Sequence, residues 1–324
     1  MDNWSSSVST VDTILNADCV AWCPSPAKSN LLLCSTYQLV GQKRNGSLLL
    51  YSSDPQLQLL QSIVNLHGVF DFKWNVIGQD ILVAVADSAG QVILLKLDPC
   101  LNKLEYVSRS KESNAMALYV DWIDTKLTVS FSDGKVSIFE LDMSKLNCTR
   151  TMQNHTLEAW SAVFDLNEKN ILYSGGDDCL LVKYDLRSQS PASKNSYHTA
   201  GVTHFTTSKQ QPDQFLSGSY DELICKWDSR QTRRPLYELG LGGGVWRIQM
   251  ENTTNSMPRI ATACMFKGFK ILRTNMECFE EIGGFRTDEG CLAYGLGISL
   301  ENKLAMCTFY DHTLQVSKES PFSY

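Results

Sequence analysis

The 324-residue chain lacks most of the features by which a sequence announces its chemistry, and each shortage narrows its class. No run approaches the ~18 uninterrupted apolar residues of a membrane helix, so no membrane partner is expected. The opening segment, MDNWSSSVST, has neither a basic stretch nor an apolar core, so no secretory signal is expected. Beyond Arg233-Arg234 there is no cluster of basic residues, and the formal net charge is −6. A general nucleic-acid binder needs a basic stripe to displace counterions, so no nucleic-acid partner is expected. The five histidines (His67, His155, His198, His204, His312) form no H-x-x-x-H pair. The 11 cysteines are odd in number, and the closest pair, Cys19 and Cys23, has no second pair at zinc-ligand spacing. No metal site is expected. Cys34, Cys225, Cys264 and Cys307 lie in strand-like runs, where a reduced thiol behaves as a small apolar residue, which suits a cytoplasmic protein. Neither a G-x-S-x-G elbow nor a G-x-x-x-x-G-K-[ST] phosphate loop occurs. The run Gly242-Gly243-Gly244 leads into a strand, so no helix N-terminus follows it to hold phosphate.

What is present is a repeat. In LSGSYDELICKWD, residues 216–228, an apolar strand reaches a polar turn at Tyr220-Asp221-Glu222, and a second strand ends in Trp227-Asp228. Weaker copies read YSGGDDCLLVKYD, VSFSDGKVSIFE, VADSAGQVILLK, NGSLLLYS, ACMFKGFKIL and CTFYDHTLQVS. Their closing positions are Tyr51, Leu95, Phe139, Tyr184, Trp227, Leu272 and Ser317, spaced by 43 to 45 residues. A period of about 40–45 residues with a closing Trp-Asp is that of the WD-repeat propeller. Each copy is preceded by a strand-like run, such as VFDFKW, ALYVDW or VWRIQM, and nothing helical of length appears. The reading is an all-β, seven-bladed WD-repeat β-propeller forming one domain over residues 1–324. Its blades are placed near residues 17–52, 66–98, 114–142, 155–186, 198–228, 243–273 and 290–318. Residues 8–15 have no blade of their own and are expected to add the outer strand of blade seven, removing an exposed sheet edge.

His198, Ser219 and Asp221 resemble the parts of a hydrolase triad. In a WD repeat, however, a His before the first strand, a Ser on the second, a turn Asp and the closing Trp form a buried hydrogen-bonded brace. His198, Ser219 (or Ser217), Asp221 and Trp227 fit that brace in order, and the structural reading is preferred. His155, Asp178 and Tyr184 look like a second copy.

Several segments resemble one family: HTLEAW (155–160), YSGGDDCLL (173–181), HTAGVTH (198–204), GSYDELICKWD (218–228), GGGVWRI (242–248) and ACMFKGFKIL (263–272), with LAYGLG (292–297) a looser match. That family is the WD-repeat diphthine methylesterases of diphthamide biosynthesis. GGGVWR followed by ACM-x-x-GF is the specific part, because neither piece satisfies the repeat's own consensus. The resemblance implies hydrolysis of the methyl ester of methylated diphthine, a modified histidine on translation elongation factor two. The exposed carboxylate is then amidated by a separate ATP-dependent ligase. It implies no cofactor, and as partners the elongation factor and other enzymes of the pathway.

Ester hydrolysis needs an activated nucleophile and donors for an oxyanion, and a trimethylammonium group favours aromatic faces. On that basis Trp160, Tyr220, Trp246 and Tyr294 are candidates to enclose the cation, with Glu158 and Glu222 adding negative charge. Arg247, assisted by Lys267, is a candidate for the carboxyl oxygen, and Gly243 and Gly244 for close backbone approach to a ligand. Cys264 is the nucleophile type present in the specific segment, the alternative being a water activated by Glu158 or a histidine. Each has a structural reading as well: Trp246 as interblade packing, Arg247 as an ion-pair partner of Glu158 or Asp288, Cys264 as an inert thiol. A non-catalytic scaffold is the competing function.

Overall fold

The computed structural model describes residues 8–251, 258–274 and 278–318, so part of the opening segment read for a secretory signal lies outside the described residues. The strands form seven four-stranded antiparallel sheets, the blades of a propeller. Among the described residues the one helical turn is the 3-10 segment Pro26–Lys28, and no helix is long and apolar enough to cross a membrane.

The innermost strands, here strand a of blades one to seven, are Ala17–Trp22, Val69–Ile77, Ala117–Ile123, Ala159–Phe164, Val202–Ser208, Arg247–Met250 and Ala293–Ile298. They wall the central channel and are mostly buried. Strand a of blade three is buried along its whole length. The fourth, outer strands hold few buried positions: Pro191–Asn195 and Tyr237–Gly240 alternate half-buried and exposed residues. They fall largely in the stretches between the blade ranges read from the sequence.

The repeat register appears directly in the pairing. On the third strands, Tyr51, Leu95, Phe139, Tyr184, Trp227 and Leu272 lie opposite Leu32, Val83, Leu127, Leu172, Phe215 and Ile260 of the second strands. Ring closure comes from Val8–Asp12, which pairs antiparallel with Thr313–Ser317 and supplies the outer strand of blade seven. Blades are tied to their neighbours by apolar packing and by side chains that reach across. Trp74 Nε1 donates to the Ala21 carbonyl of blade one, and Trp122 Nε1 to the Lys73 carbonyl of blade two, at 3.3 and 3.1 Å.

The brace forms in two blades. His198 Nδ1 meets Asp221 Oδ2 at 2.9 Å, His198 Nε2 meets Ser217 Oγ at 2.8 Å, and Trp227 Nε1 donates to the same hydroxyl at 2.8 Å. Blade four repeats it through His155, Asp178, Ser174 and Tyr184 at 2.7 to 3.0 Å. The serine of the brace is therefore Ser217, which corrects the expectation for Ser219. Ser219 closes the second strand, donates to the Ala200 carbonyl and accepts from Asp221 N, both at 3.1 Å, so it shapes the turn instead.

Candidate functional site

A cup at the mouth of the channel is built from one recurring irregularity. In six blades strand a carries a β-bulge near its start, where pairing skips one residue: Asp18, Phe70, Leu118, Trp160, Thr203 and Tyr294. In blade six Trp246 takes this position, donating its backbone N–H to Ala263 just before pairing begins at Arg247. A bulged residue is released from the ladder and re-aimed. All seven line a single cavity of about 200 Å³.

The rings meet edge to face and tilted. Trp160 lies 6.0 Å from Tyr220 and 5.7 Å from Trp246, Tyr220 lies 5.8 Å from Trp246, and Trp246 lies 4.8 Å from Tyr294. The arc continues through Phe309 and Tyr37 to Phe70 at 5.0, 5.0 and 4.8 Å. The four aromatics singled out in the sequence thus share one wall, with Tyr37 and Phe70 facing them across the cup. Trp160 is fixed by its indole N–H, which donates to Asp177 Oδ1 at 3.0 Å. Burial, joined by the negative charges of Asp177 and Asp18, pushes the Tyr220 phenol above its ordinary range, so it stays neutral.

Arg247 and Tyr119 line this cup and also a second cavity of about 180 Å³ farther along the channel, so they form the partition between the two. Arg247 Nη2 donates to Asp71 Oδ1 at 2.7 Å, and its guanidinium carbon lies 5.1 Å from the centre of the Tyr119 ring. Asp71 Oδ2 accepts from Val120 N at 3.0 Å, and Tyr119 OH meets His204 Nε2 at 3.2 Å. Burial works against the Arg247 charge, but Asp71, with Cys19, Tyr119 and Asp18, more than offsets it and the guanidinium pKa rises. Arg247 Nε is buried without an acceptor among the described residues, leaving one donor of the fork unspent. The partner of Arg247 is thus Asp71 in blade two, rather than Glu158 or Asp288. An ion pair between residues 176 positions apart leaves no local pattern in the sequence.

Other candidates lie outside the cup. Cys264 is fully buried in the apolar layer between blades five and six, among Leu216, Ile224, Val245, Ile248 and Leu272. Its thiol contacts Thr262 Oγ1 at 3.2 Å, and burial pushes its pKa up to about 11, opposite to what a nucleophilic thiolate requires. Lys267 is exposed in the turn between the second and third strands of blade six, its stem against Gly243. Gly243 and Gly244 do not touch the cavity. A Cβ on Gly243 would lie 2.4 Å from the Cys264 carbonyl, and one on Gly244 2.8 Å from Met265 Sδ and 3.2 Å from Tyr220 Cδ1. These glycines let the blade-six loop pass close enough to bring Trp246 beside Tyr220. Glu222 is exposed and holds a left-handed turn at φ 71°, with its carbonyl accepting from Leu241 N. Glu158 acts on Tyr220 by charge only, and its carbonyl accepts from Asp177 N.

Asp18, Asp71, Tyr119 and Tyr37 were missed in the sequence. A signal for Asp18 and Asp71 was there. Stacking ADCVAW, VFDFKW, ALYVDW, AWSAVF, VTHFTT, VWRIQM and AYGLGI puts Asp18 in one column with Trp160 and Trp246, and Asp71 in the next with Arg247. No group of three or more His, Cys, Asp or Glu that could hold a metal occurs among the described residues.

The fold and site define a WD-type propeller with an aromatic cup over a buried ion pair. A solved chain of a mitotic checkpoint complex superposes with a TM-score of 0.79 over 99% of this chain and 94% of its own, at 14% identity, which speaks for the fold alone. No family model matches the chain. Curated relatives do: the diphthine methyltransferase of Homo sapiens is 33% identical over 308 residues, covering 81% of this chain and 67% of the relative. That of Mus musculus is also 33% identical, and the alignment spans 62% of its length. The Schizosaccharomyces pombe protein is 29% identical over 87% of this chain and 89% of its own. The chain belongs to the diphthine methyltransferase family.

Proposed function

We propose that this chain is a carboxyl-methylesterase that hydrolyses the methyl ester of methylated diphthine on translation elongation factor two, without a cofactor. The observation that carries the reading is the cup itself. Trp160, Tyr220, Trp246 and Tyr294 present a wall of ring faces suited to a trimethylammonium group, which is attracted within about 6 Å of a ring centre. The Arg247 guanidinium in its floor sets a fixed positive charge against negative charge developing on an ester oxygen. A cavity of about 200 Å³ is smaller than the ~300–1,000 Å³ typical of small-molecule sites, and suits an inserted side chain and a water. Transfer in the synthetic direction needs a methyl donor against the same group, with Arg247 and Tyr119 standing between the cup and the cavity beyond. Eleven free cysteines are compatible with a reducing cytoplasm, where the elongation factor works.

The test is incubation of the purified protein with fully methylated elongation factor two, measuring methanol release and loss of one methyl group from the factor. Arg247→Lys is expected to lose roughly 10²–10³ in rate, as when an oxyanion donor is removed. Binding of the methylated factor with no methanol release would favour a scaffold that recognises the modification without acting on it.

A further inference from the structure

The cup contains a carboxylate to which the esterase reading gives no task. Asp18 occupies the bulged position of blade one, the place held by Trp160 in blade four and Trp246 in blade six. It is the one acid lining the cup among the described residues. The alternatives for a base there can be eliminated in turn. Thr203 spends its hydroxyl on the carbonyls of Gly218 and Val245. Burial pushes the phenols of Tyr37, Tyr119, Tyr220 and Tyr294 up, away from ionisation. His204 lies one position deeper, buried at 3% exposure behind Tyr119, and does not line the cup. Cys264 and Glu158 are outside it.

We propose that Asp18 is the general base of this site, activating a water against an ester held between the aromatic wall and Arg247. This rests on the esterase reading. The Asp18 carboxylate takes a proton from water as the water oxygen bonds to the ester carbonyl carbon, and the carbonyl electron pair moves onto oxygen beside Arg247. As the carbonyl re-forms, the bond to the methoxy oxygen breaks, and protonated Asp18 returns its proton to that oxygen. Methanol leaves, the acid product releases its proton to solvent, and Asp18 is again a carboxylate.

The groups that face Asp18 are Arg247 and Asp71, the phenols of Tyr37, Tyr220 and Tyr294, the Cys307 thiol, and Arg44 across the cup at Tyr37. Burial drives its pKa well above the usual carboxylate range. Arg247 holds it back and Asp71 adds to it. A base works best with a pKa near the working pH, so the shift is in the useful direction. It also costs stability. The folded state holds the proton more tightly than the unfolded chain, so the contribution of Asp18 to stability falls as pH rises from its unfolded pKa through its folded one.

The experiment compares wild type with Asp18→Asn on fully methylated elongation factor two, following methanol release, substrate affinity and melting temperature across pH. The expected result is a loss of about 10²–10⁴ in hydrolysis rate with affinity within a few-fold of wild type. Asp18→Asn should melt no lower than wild type at neutral pH, with any gain shrinking toward pH 4. In wild type, hydrolysis should fall with decreasing pH along one protonation step that Asp18→Asn lacks. Two results would overturn the assignment. One is Asp18→Asn hydrolysing at the wild-type rate. The other is loss of affinity with an unchanged turnover rate, which would make Asp18 a counter-ion of the ammonium group. Wild type that releases no methanol at all would instead defeat the esterase reading on which the assignment stands.

Discussion

The Asp71–Arg247 pair is the point at which the partition of the channel can be tested as a physical object. Asp71 is 2% exposed and Arg247 7%, and their charged atoms are 2.7 Å apart. At an effective dielectric of about 20 that separation gives roughly 6 kcal/mol of attraction, most of it offset by the desolvation of both ions. The sharp quantity is the cost of removing one partner. Asp71→Asn is the cleanest perturbation, because an amide oxygen still accepts from Val120 N while the charge and the acceptor for Arg247 Nη2 are lost. It leaves a buried guanidinium unpaired, which costs about 3–5 kcal/mol. Asp18 also acts on Arg247, so we expect the lower end, about 3 kcal/mol. Set against a typical 5–15 kcal/mol of total stability, that is a large fraction. The double variant Asp71→Asn/Arg247→Met removes both charges, and should lie within about 1–2 kcal/mol of wild type, since apolar groups often replace a buried pair at little cost. Urea unfolding followed by tryptophan fluorescence and circular dichroism measures all three. Asp71→Asn within about 0.5 kcal/mol of wild type, or a double variant less stable than Asp71→Asn alone, would refute the pairing as the element that fixes Arg247.

Ser217→Ala should cost about 1–3 kcal/mol, because it strips a buried hydroxyl shared by His198 and Trp227, whereas Ser219→Ala should cost less. Thermal melts of the two variants side by side check this, and the reverse order would return the brace to Ser219. Cys264→Ala should hydrolyse at the wild-type rate while losing about 1 kcal/mol, comparable with removing one methyl group from a core. A near-complete loss of methanol release in a well-folded Cys264→Ala protein would put the thiol back in the mechanism.

The fold was legible because a propeller repeats its constraints. The closing positions Tyr51, Leu95, Phe139, Tyr184, Trp227 and Leu272 must each meet an apolar partner on the second strand, so a spacing of 43 to 45 residues survives although the residue type changes. The outer strands were hard to read for the opposite reason: Tyr237–Gly240 has four residues, none of them buried, so little constrains their type. In the site, Trp160, Tyr220, Trp246 and Tyr294 were legible because they lie in the segments that carry the family resemblance and offer ring faces to a trimethylammonium group. Ser217 could have been separated from Ser219 by register. His155, Ser174, Asp178 and Tyr184 precede His198, Ser217, Asp221 and Trp227 by the same 43 positions, and Gly176 stands where Ser219 would. The Arg247–Asp71 pair was not legible, since it joins blades six and two across the channel, where only the closed ring brings them together.

The two columns next to each other on the inner strands have different physical duties. Residues at the bulge, such as Asp18, Trp160 and Trp246, stand at a break in the ladder and face the cup. A change there alters what the cup holds and leaves the hydrogen-bond register intact. The next residues, Asp71, Tyr119, His204 and Arg247, make polar contacts across the channel that hold blades two, three, five and six together. A substitution there leaves a buried partner unsatisfied and is felt by the whole ring. On the proposed reading, specificity and chemistry belong to the first column and cohesion to the second, with Arg247 serving both because it lines the cup from the second. In that arrangement a buried carboxylate in the first column is a net cost to the fold, since it has neither a ladder bond nor a close ion pair of its own. Phe70 and Leu118 hold the same position in blades two and three with apolar side chains, and the proposed general-base role is what a carboxylate at position 18 adds to them.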